Sequence, residues 1–339
     1  MPLFALITLA YLIVGGLVTL IYRDNPLHLL LEMAEAIPFS LLVFLSLGWW
    51  VVPLFLVVTF LFDRKTMVTR LSRAILAVMI CSAMFLMFTM LKTTMPFILP
   101  FWADPWMADL DRALHFGVDP WRLTHAFSAW INPELVGTIY FTAWLLPCMY
   151  LPVLIVMFDM DARRFRRFIL LYLFSWIVMG NVLALAFLSA GPIFYDRLLG
   201  GDTFAPMMAS LQEIGFAGGF LDALSDNLWA AYESKAQLPG SGISAFPSVH
   251  IATATVFALY LYERHRAFLP LSILIVATYQ FLSVYQGWHY AIDGYFSILV
   301  MIGVWIWLRR REKRSAPAPA RPPTCPPPPG HSATDSANN

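Results

Sequence analysis

Gly287-Trp288-His289-Tyr290-Ala291-Ile292-Asp293 opens the last apolar run of this chain, and Phe246-Pro247-Ser248-Val249-His250 opens an earlier one. Each stretch places a histidine where a membrane helix is predicted to begin. His289 and Asp293 are four residues apart, so on a helix they share one face. Ionisable groups are expensive in hydrocarbon unless they are paired or used. These two stretches therefore point to a bundle of membrane helices and mark where its chemistry is to be sought.

Composition agrees. The chain has 339 residues, 59% hydrophobic and 13% charged, whereas soluble domains carry about a quarter charged residues. A net charge of +1, with no basic patch interleaved with aromatics, gives no reason to expect a nucleic acid partner. Cys81 and Cys148 lie in apolar runs and Cys325 in the tail, which offers neither a disulfide framework nor metal-ligand spacing. The apolar start has no basic leader and no clear small-residue cleavage site, so it reads as a retained helix.

Eight apolar runs approach the ~20 residues that span hydrocarbon: 3–22, 40–62, 74–91, 138–158, 168–190, 246–262, 267–286 and 288–308. Of the 22 Lys and Arg, 16 follow the second, fourth, sixth and eighth runs, as in Arg163 to Arg167 and Arg309 to Arg314. The positive-inside rule places these clusters in the cytoplasm. Both termini are then cytoplasmic, and His250 and His289 fall together at the opposite, extracytoplasmic surface of a multi-pass plasma (inner) membrane protein. The expected fold is all-α, a polytopic bundle of about eight transmembrane helices. Residues 1–73 form N-terminal helices, 74–314 a catalytic membrane domain, and 315–339 a Pro-rich disordered cytoplasmic tail. Two outer loops are long. Residues 92–137 mix Trp102, Asp104, Trp106, Trp121 and Trp130 in a way that suits a helix in the headgroup layer, and 191–245 are apolar enough to pack over helix ends.

The motif residues suit attack on phosphorus. His289 is the expected nucleophile, and Asp293 accepts from its other ring nitrogen, fixing the tautomer and stabilising the developing charge. His250 is the expected general acid, returning as base for an acceptor hydroxyl. Ser248 and the free amides at its helix start would hold phosphate oxygens, although a serine there also serves as a simple cap. A cation is still needed for the phosphate charge. Arg197, closing Gly191-Pro192-Ile193-Phe194-Tyr195-Asp196-Arg197, is the first choice, with pairing to Asp196 as its plainer reading; Lys235, Arg112 and Arg122 stand in reserve. Zinc is the competing chemistry, since His-x3-Asp also spaces two ligands on one face, but only His250 offers an obvious third.

Pro247-Ser248-x-His250 followed by His289-x3-Asp293 resembles the type 2 phosphatidic acid phosphatase superfamily. Phe246 and Tyr290 beside the motifs give it the flavour of the inositolphosphotransferase branch, which includes inositolphosphorylceramide synthases. The motif resemblance covers roughly 191–308. It implies a six-helix catalytic core formed by helices three to eight, a phosphohistidine intermediate on His289, a membrane lipid phosphate substrate, and neither metal nor cofactor. Two departures stand out. The lysine–arginine motif of the family's phosphatases has no counterpart here, and Leu282, Ser283 and Val284 occupy the region where they carry an arginine before the nucleophilic histidine.

The resulting expectation is a membrane enzyme that transfers a phosphoryl-containing head group to a lipid acceptor. Hydrolysis of a lipid or polyprenyl phosphate, with water as acceptor, is the alternative. A non-catalytic transporter or scaffold is the second.

Overall fold

Apolar backbone removed from water must satisfy its own N–H and C=O groups, and a helix does so within one segment. In the computed structural model, which describes residues 1–47, 64–236 and 241–314, every apolar run among the described residues is helical. The chain begins with α1 (Pro2–Tyr22) and α2 (Pro26–Leu47), joined by a turn with Asn25 at positive φ. The long α3 (Arg64–Ile98) leads into two short surface helices, α4 (Asp104–Leu114) and α5 (Pro120–His125). Next come α6 (Pro133–Phe158) and α7 (Ala162–Ala186), each containing π-helical turns. Three more short helices, α8 (Pro192–Leu199), α9 (Ala205–Glu213) and α10 (Phe220–Glu233), precede the final trio α11 (Val249–Arg264), α12 (Leu269–Tyr285) and α13 (Ala291–Arg314).

Burial follows helical period, with lipid as the outer solvent. On α1, Phe4, Thr8, Tyr11, Gly15 and Thr19 are buried at spacings of three and four, while Leu6, Ile13, Leu17 and Ile21 are exposed. The buried stripe packs on α3, and Tyr11 donates from its hydroxyl to Asn181 Oδ1 at 2.6 Å. Exposed apolar side chains recur on α12 (Ile273, Leu274) and α13 (Leu299, Ile306). Such surface is tolerable only against hydrocarbon or a partner.

α11 is the centre of the bundle, packed against α6, α7, α12 and α13. Its small residues Ala252, Ala254 and Ala258 are buried and allow close helix approach. Thr253 and Thr255 donate to carbonyls one turn back, so no hydroxyl is stranded there. At one end, Arg167 of α7 pairs with Glu263 of α11 and, at 2.9 Å, with Glu312 of α13. Trp305 Nε1 also donates to Glu263. The basic clusters that follow the fourth, sixth and eighth runs thus meet at one end of the bundle, while His250 stands at the other end of α11.

Some expectations need correction, and others fall outside the described residues. Six helices among the described residues are long and apolar enough to cross a membrane, not eight. The run 246–262 becomes α11, whose 16 residues span only about 24 Å at 1.5 Å per residue; it is walled in by other helices and need not match the bilayer alone. Most of the run 40–62 lies outside the described residues, as does the tail 315–339, and the helix entering that run begins earlier, at Pro26. Finally, α13 starts at Ala291, so His289 lies in the turn before the helix and not on its first residue.

The close contact of α13 with its neighbours yields a test. A Cβ on Gly294 would fall 1.8 Å from Gln280 Oε1 and 2.4 Å from Ile251 Cδ1, whereas one on Gly303 meets nothing within 4 Å. Gly294→Ala should cost ~1–3 kcal/mol through overpacking. It is expected to lower the thermal midpoint in detergent, while Gly303→Ala leaves that midpoint within a degree or two of wild type.

Candidate active site

The two motif stretches are fastened together before either histidine is considered. Ser248 caps α11, its hydroxyl accepting from the Ile251 amide at 3.4 Å, and the Phe246–Pro247 bond before it is cis. The Ser248 amide donates to the Asp293 carbonyl at 3.4 Å. The Ser297 hydroxyl lies 3.0 Å from the Ser248 carbonyl and 2.8 Å from that of Asp293, clasping the start of α11 to the first turn of α13.

His289 sits between these two turns. Its Nδ1 is 3.0 Å from Asp293 Oδ2, and its Nε2 is 3.2 Å from Ser248 Oγ. The same carboxylate oxygen accepts from the Tyr290 amide at 3.1 Å. Asp293 has no exposed surface and His289 retains 7%. A carboxylate so placed needs a partner, and Nδ1–H supplies one. This bond directs Nε2 toward Ser248. His250 comes close, with its ring centroid 6.3 Å from that of His289.

His250 is held by aromatic stacking. Tyr140 lies 4.4 Å from it at an interplanar angle of 13°, and Trp144 lies 3.9 Å away at 28°. Both come from α6, where π-helical turns run over Thr138–Ala143. Such local widening is frequent at functional sites because it re-aims side chains. Trp144 Nε1 donates to the His250 carbonyl at 3.1 Å and to Thr253 Oγ1 at 2.8 Å, which locks the indole against the imidazole. Phe141 adds an edge contact to both His250 and Trp288.

A second layer comes from α4. Its buried positions are Asp104, Met107, Ala108 and Asp111, one stripe with an acid at each end. Asp104 accepts from the amides of Ala190 and Gly191 at 2.7 and 2.8 Å and from the Tyr290 hydroxyl at 3.0 Å. Asp111 accepts from the amides of Ala291 and Ile292 at 3.0 and 3.1 Å, capping α13 from another helix. The helix predicted for the headgroup layer is therefore a brace for the His289 turn. Neither acid was singled out from sequence for this role. The available signal was their i, i+7 spacing along the apolar stripe of an amphipathic helix. Burial pushes the Asp111 carboxyl up to about 6, opposed by the Ala291 amide and reinforced by the Asp293 charge. Gly191 completes the turn at φ +91, where a Cβ would lie 2.5 Å from the Trp288 carbonyl oxygen.

The cations are arranged otherwise than expected. Arg197 donates to Asp226 at 2.8 Å and makes no hydrogen bond to Ser248, His250, His289 or Asp293; nor is Asp196 its partner. Arg112 and Arg122 both pair with Asp119. A cation that does reach the motif stretch is Lys92 of α3, a half-buried residue whose ammonium donates to the Ser244 carbonyl at 3.4 Å, two residues before Phe246. Sequence reading missed it because the outer loop was taken to start at 92, whereas α3 continues to Ile98. Among the described residues, no group of three His, Cys, Asp or Glu is placed to hold a metal ion.

Compared with known families, residues 105–308 match the model described as the PAP2 superfamily. No curated protein matches the chain, and neither does any solved structure.

The Asp111 brace predicts a pH signature. Its carboxyl titrates higher in the folded chain than in an unfolded one, so between about pH 4 and pH 6 the native state holds a proton that the unfolded state has released. The contribution of this group to stability is present below that window and is lost as pH rises through it. Asp111→Asn should therefore show a smaller fall in thermal midpoint between pH 4 and pH 6.5 than the wild-type protein, read by differential scanning fluorimetry in detergent.

Proposed function

The chain belongs to the PAP2 (type 2 phosphatidic acid phosphatase) superfamily, and on that premise we propose that it cleaves a lipid phosphoester through His289 and passes the phosphoryl-containing head group to a lipid acceptor. The observation that carries this reading is the alignment of Asp293, His289 and Ser248 over 3.0 and 3.2 Å, with His250 beside them.

In the first step, His289 Nε2 attacks phosphorus while Nδ1–H stays bonded to Asp293. The P–N bond forms and the P–O bond to the lipid alcohol breaks. Protonated His250 gives its proton to the departing oxygen. In the second step, neutral His250 takes the proton of an acceptor hydroxyl, whose oxygen attacks phosphorus, and the P–N bond breaks. Ser248 and the first amides of α11 hold non-bridging oxygens. Lys92, not Arg197, supplies the nearby positive charge. Charge placed in advance in a water-poor site costs little reorganisation when the phosphorus centre becomes crowded.

Transfer is favoured over hydrolysis by the setting of the imidazoles. His289 is 7% exposed and His250 is sandwiched by Tyr140 and Trp144, an aromatic wall that limits water at the adduct. Inositol phosphate is one head group that fits the branch resemblance. The same reading places the histidine end at the extracytoplasmic face of a plasma (inner) membrane, with the Arg167–Glu263 end and both termini in the cytoplasm.

Purified protein supplied with lipid donor and hydroxylated lipid acceptor should lose at least ~10³-fold in rate on His289→Ala. Asp293→Asn should remain folded and lose ~10²-fold or more, because an amide can hold the imidazole in the wrong tautomer. Near-wild-type turnover in either variant refutes the assigned role. Release of head-group phosphate without any acceptor lipid, at the rate seen with it, would identify a hydrolase instead.

A further inference from the structure

A cavity of about 320 Å³ opens between the end of α1, the last turns of α3 and the segment after α10. Arg23, Lys92 and Lys235 line it, together with Phe97, Ser241 and the carboxylate Glu233. Among the described residues, none of the three cations has a carboxylate within 4 Å, whereas six other arginines do: Arg112, Arg122, Arg164, Arg167, Arg197 and Arg309.

Arg23 is set firmly into the wall of this cavity. It is 8% exposed, its Nη1 donates to the Thr93 carbonyl at 3.2 Å and its Nη2 to the Lys235 carbonyl at 3.1 Å. Its guanidinium lies 4.1 Å over the Phe97 ring. Nε, equally buried, has no partner among the described residues. The Lys235 ammonium stands 5.9 Å from the same ring, on an exposed side chain. A buried guanidinium with an unanswered N–H, beside two further cations, is costly unless an anion completes it. Its lining joins these polar groups to the apolar Phe97, as a site for a lipid's head group should.

We propose that this cavity is a second phosphate-binding subsite, joined to the reaction centre through Lys92, which takes a phosphate group other than the one attacked by His289. It deepens the reading above, on which it rests for the position of the reacting phosphorus, by naming the substrate class: a head group that carries an additional phosphate. Arg23 lies outside the region matched by the family model, 105–308, so the subsite gives α1 a part in recognition. Arg23 and Lys235 hold the extra phosphate, and Lys92 lies between the two anions.

The test uses the full-length protein in detergent, with thermal midpoint followed against dioctanoyl phosphatidylinositol 4-phosphate, dioctanoyl phosphatidylinositol and inorganic phosphate. The wild type and His289→Ala should both reach half-maximal stabilisation at a tenfold or lower concentration of the doubly phosphorylated lipid than of phosphatidylinositol. Lys235→Gln and Arg23→Gln should each abolish that preference, leaving the response to phosphatidylinositol within twofold. The exposed Lys235 keeps the test decisive if Arg23→Gln fails to fold. Stabilisation by inorganic phosphate that is equally sensitive to Lys235→Gln would show that the subsite accepts free phosphate; stabilisation by the lipid alone would tie it to the head group. The proposal is overturned if wild-type protein shows no preference for the second phosphate, or if Lys235→Gln binds as wild type does. Turnover retained by His289→Ala would overturn the catalytic reading separately, since the binding comparison does not depend on turnover.

Discussion

Asp293 is a carboxylate with no exposed surface at the head of an apolar helix. Left unpartnered it would oppose folding by several kcal/mol. The chain answers with the His289 ring and the Tyr290 amide, both on one oxygen. That answer sets the rest of the local architecture. His289 must sit in the turn before α13, the start of α11 must lie against it to bring Ser248 to Nε2, and Ser297 and the Ser248 amide must hold the two helix ends in register. A requirement of solvation thus sets the geometry on which the proposed attack at phosphorus rests.

The central position of α11 follows from the same constraint. A helix that carries a histidine and a serine at its head and is surrounded by other helices does not have to match bilayer thickness. It can be short, threonine-containing and rich in alanine. Its neighbours α12 and α13 carry the exposed apolar surface toward lipid. The surface helix α4 is equally purposeful: its two buried acids satisfy amides at Ala190, Gly191, Ala291 and Ile292, backbone groups that turns and helix starts leave open.

Much of this was legible in the residues. The His-x3-Asp and Pro-Ser-x-His stretches, with a basic cluster after alternate apolar runs, predicted a helical membrane bundle with both histidines at one end, and the imidazoles do meet. What escaped was what depends on tertiary approach. Hydropathy gave α11 the same weight as its neighbours because it measures composition and not surroundings. Arg197 was favoured for its place after the fifth run, but a long flexible side chain pairs with whatever acid the fold brings, here Asp226. Lys92 was hidden because a lysine at a membrane boundary usually reads as an anchor, and only the continuation of α3 to Ile98 brings its ammonium to the Ser244 carbonyl, in the segment that leads into the Phe246 motif. Asp104 was read only as part of a helix in the headgroup layer, and Asp111 was not singled out; their burial becomes visible only when the loops they cap are folded over them.

The central claim is that a nitrogen of His289 becomes bonded to phosphorus. Phosphohistidine survives base better than acid, so purified protein mixed with lipid donor in the absence of acceptor, quenched in alkali and digested, can be read by mass spectrometry. The account predicts a phosphoryl-containing adduct on the peptide bearing His289, formed within one turnover and discharged on adding a hydroxylated lipid. Efficient turnover with no adduct on His289, or with the adduct on another residue, would contradict it.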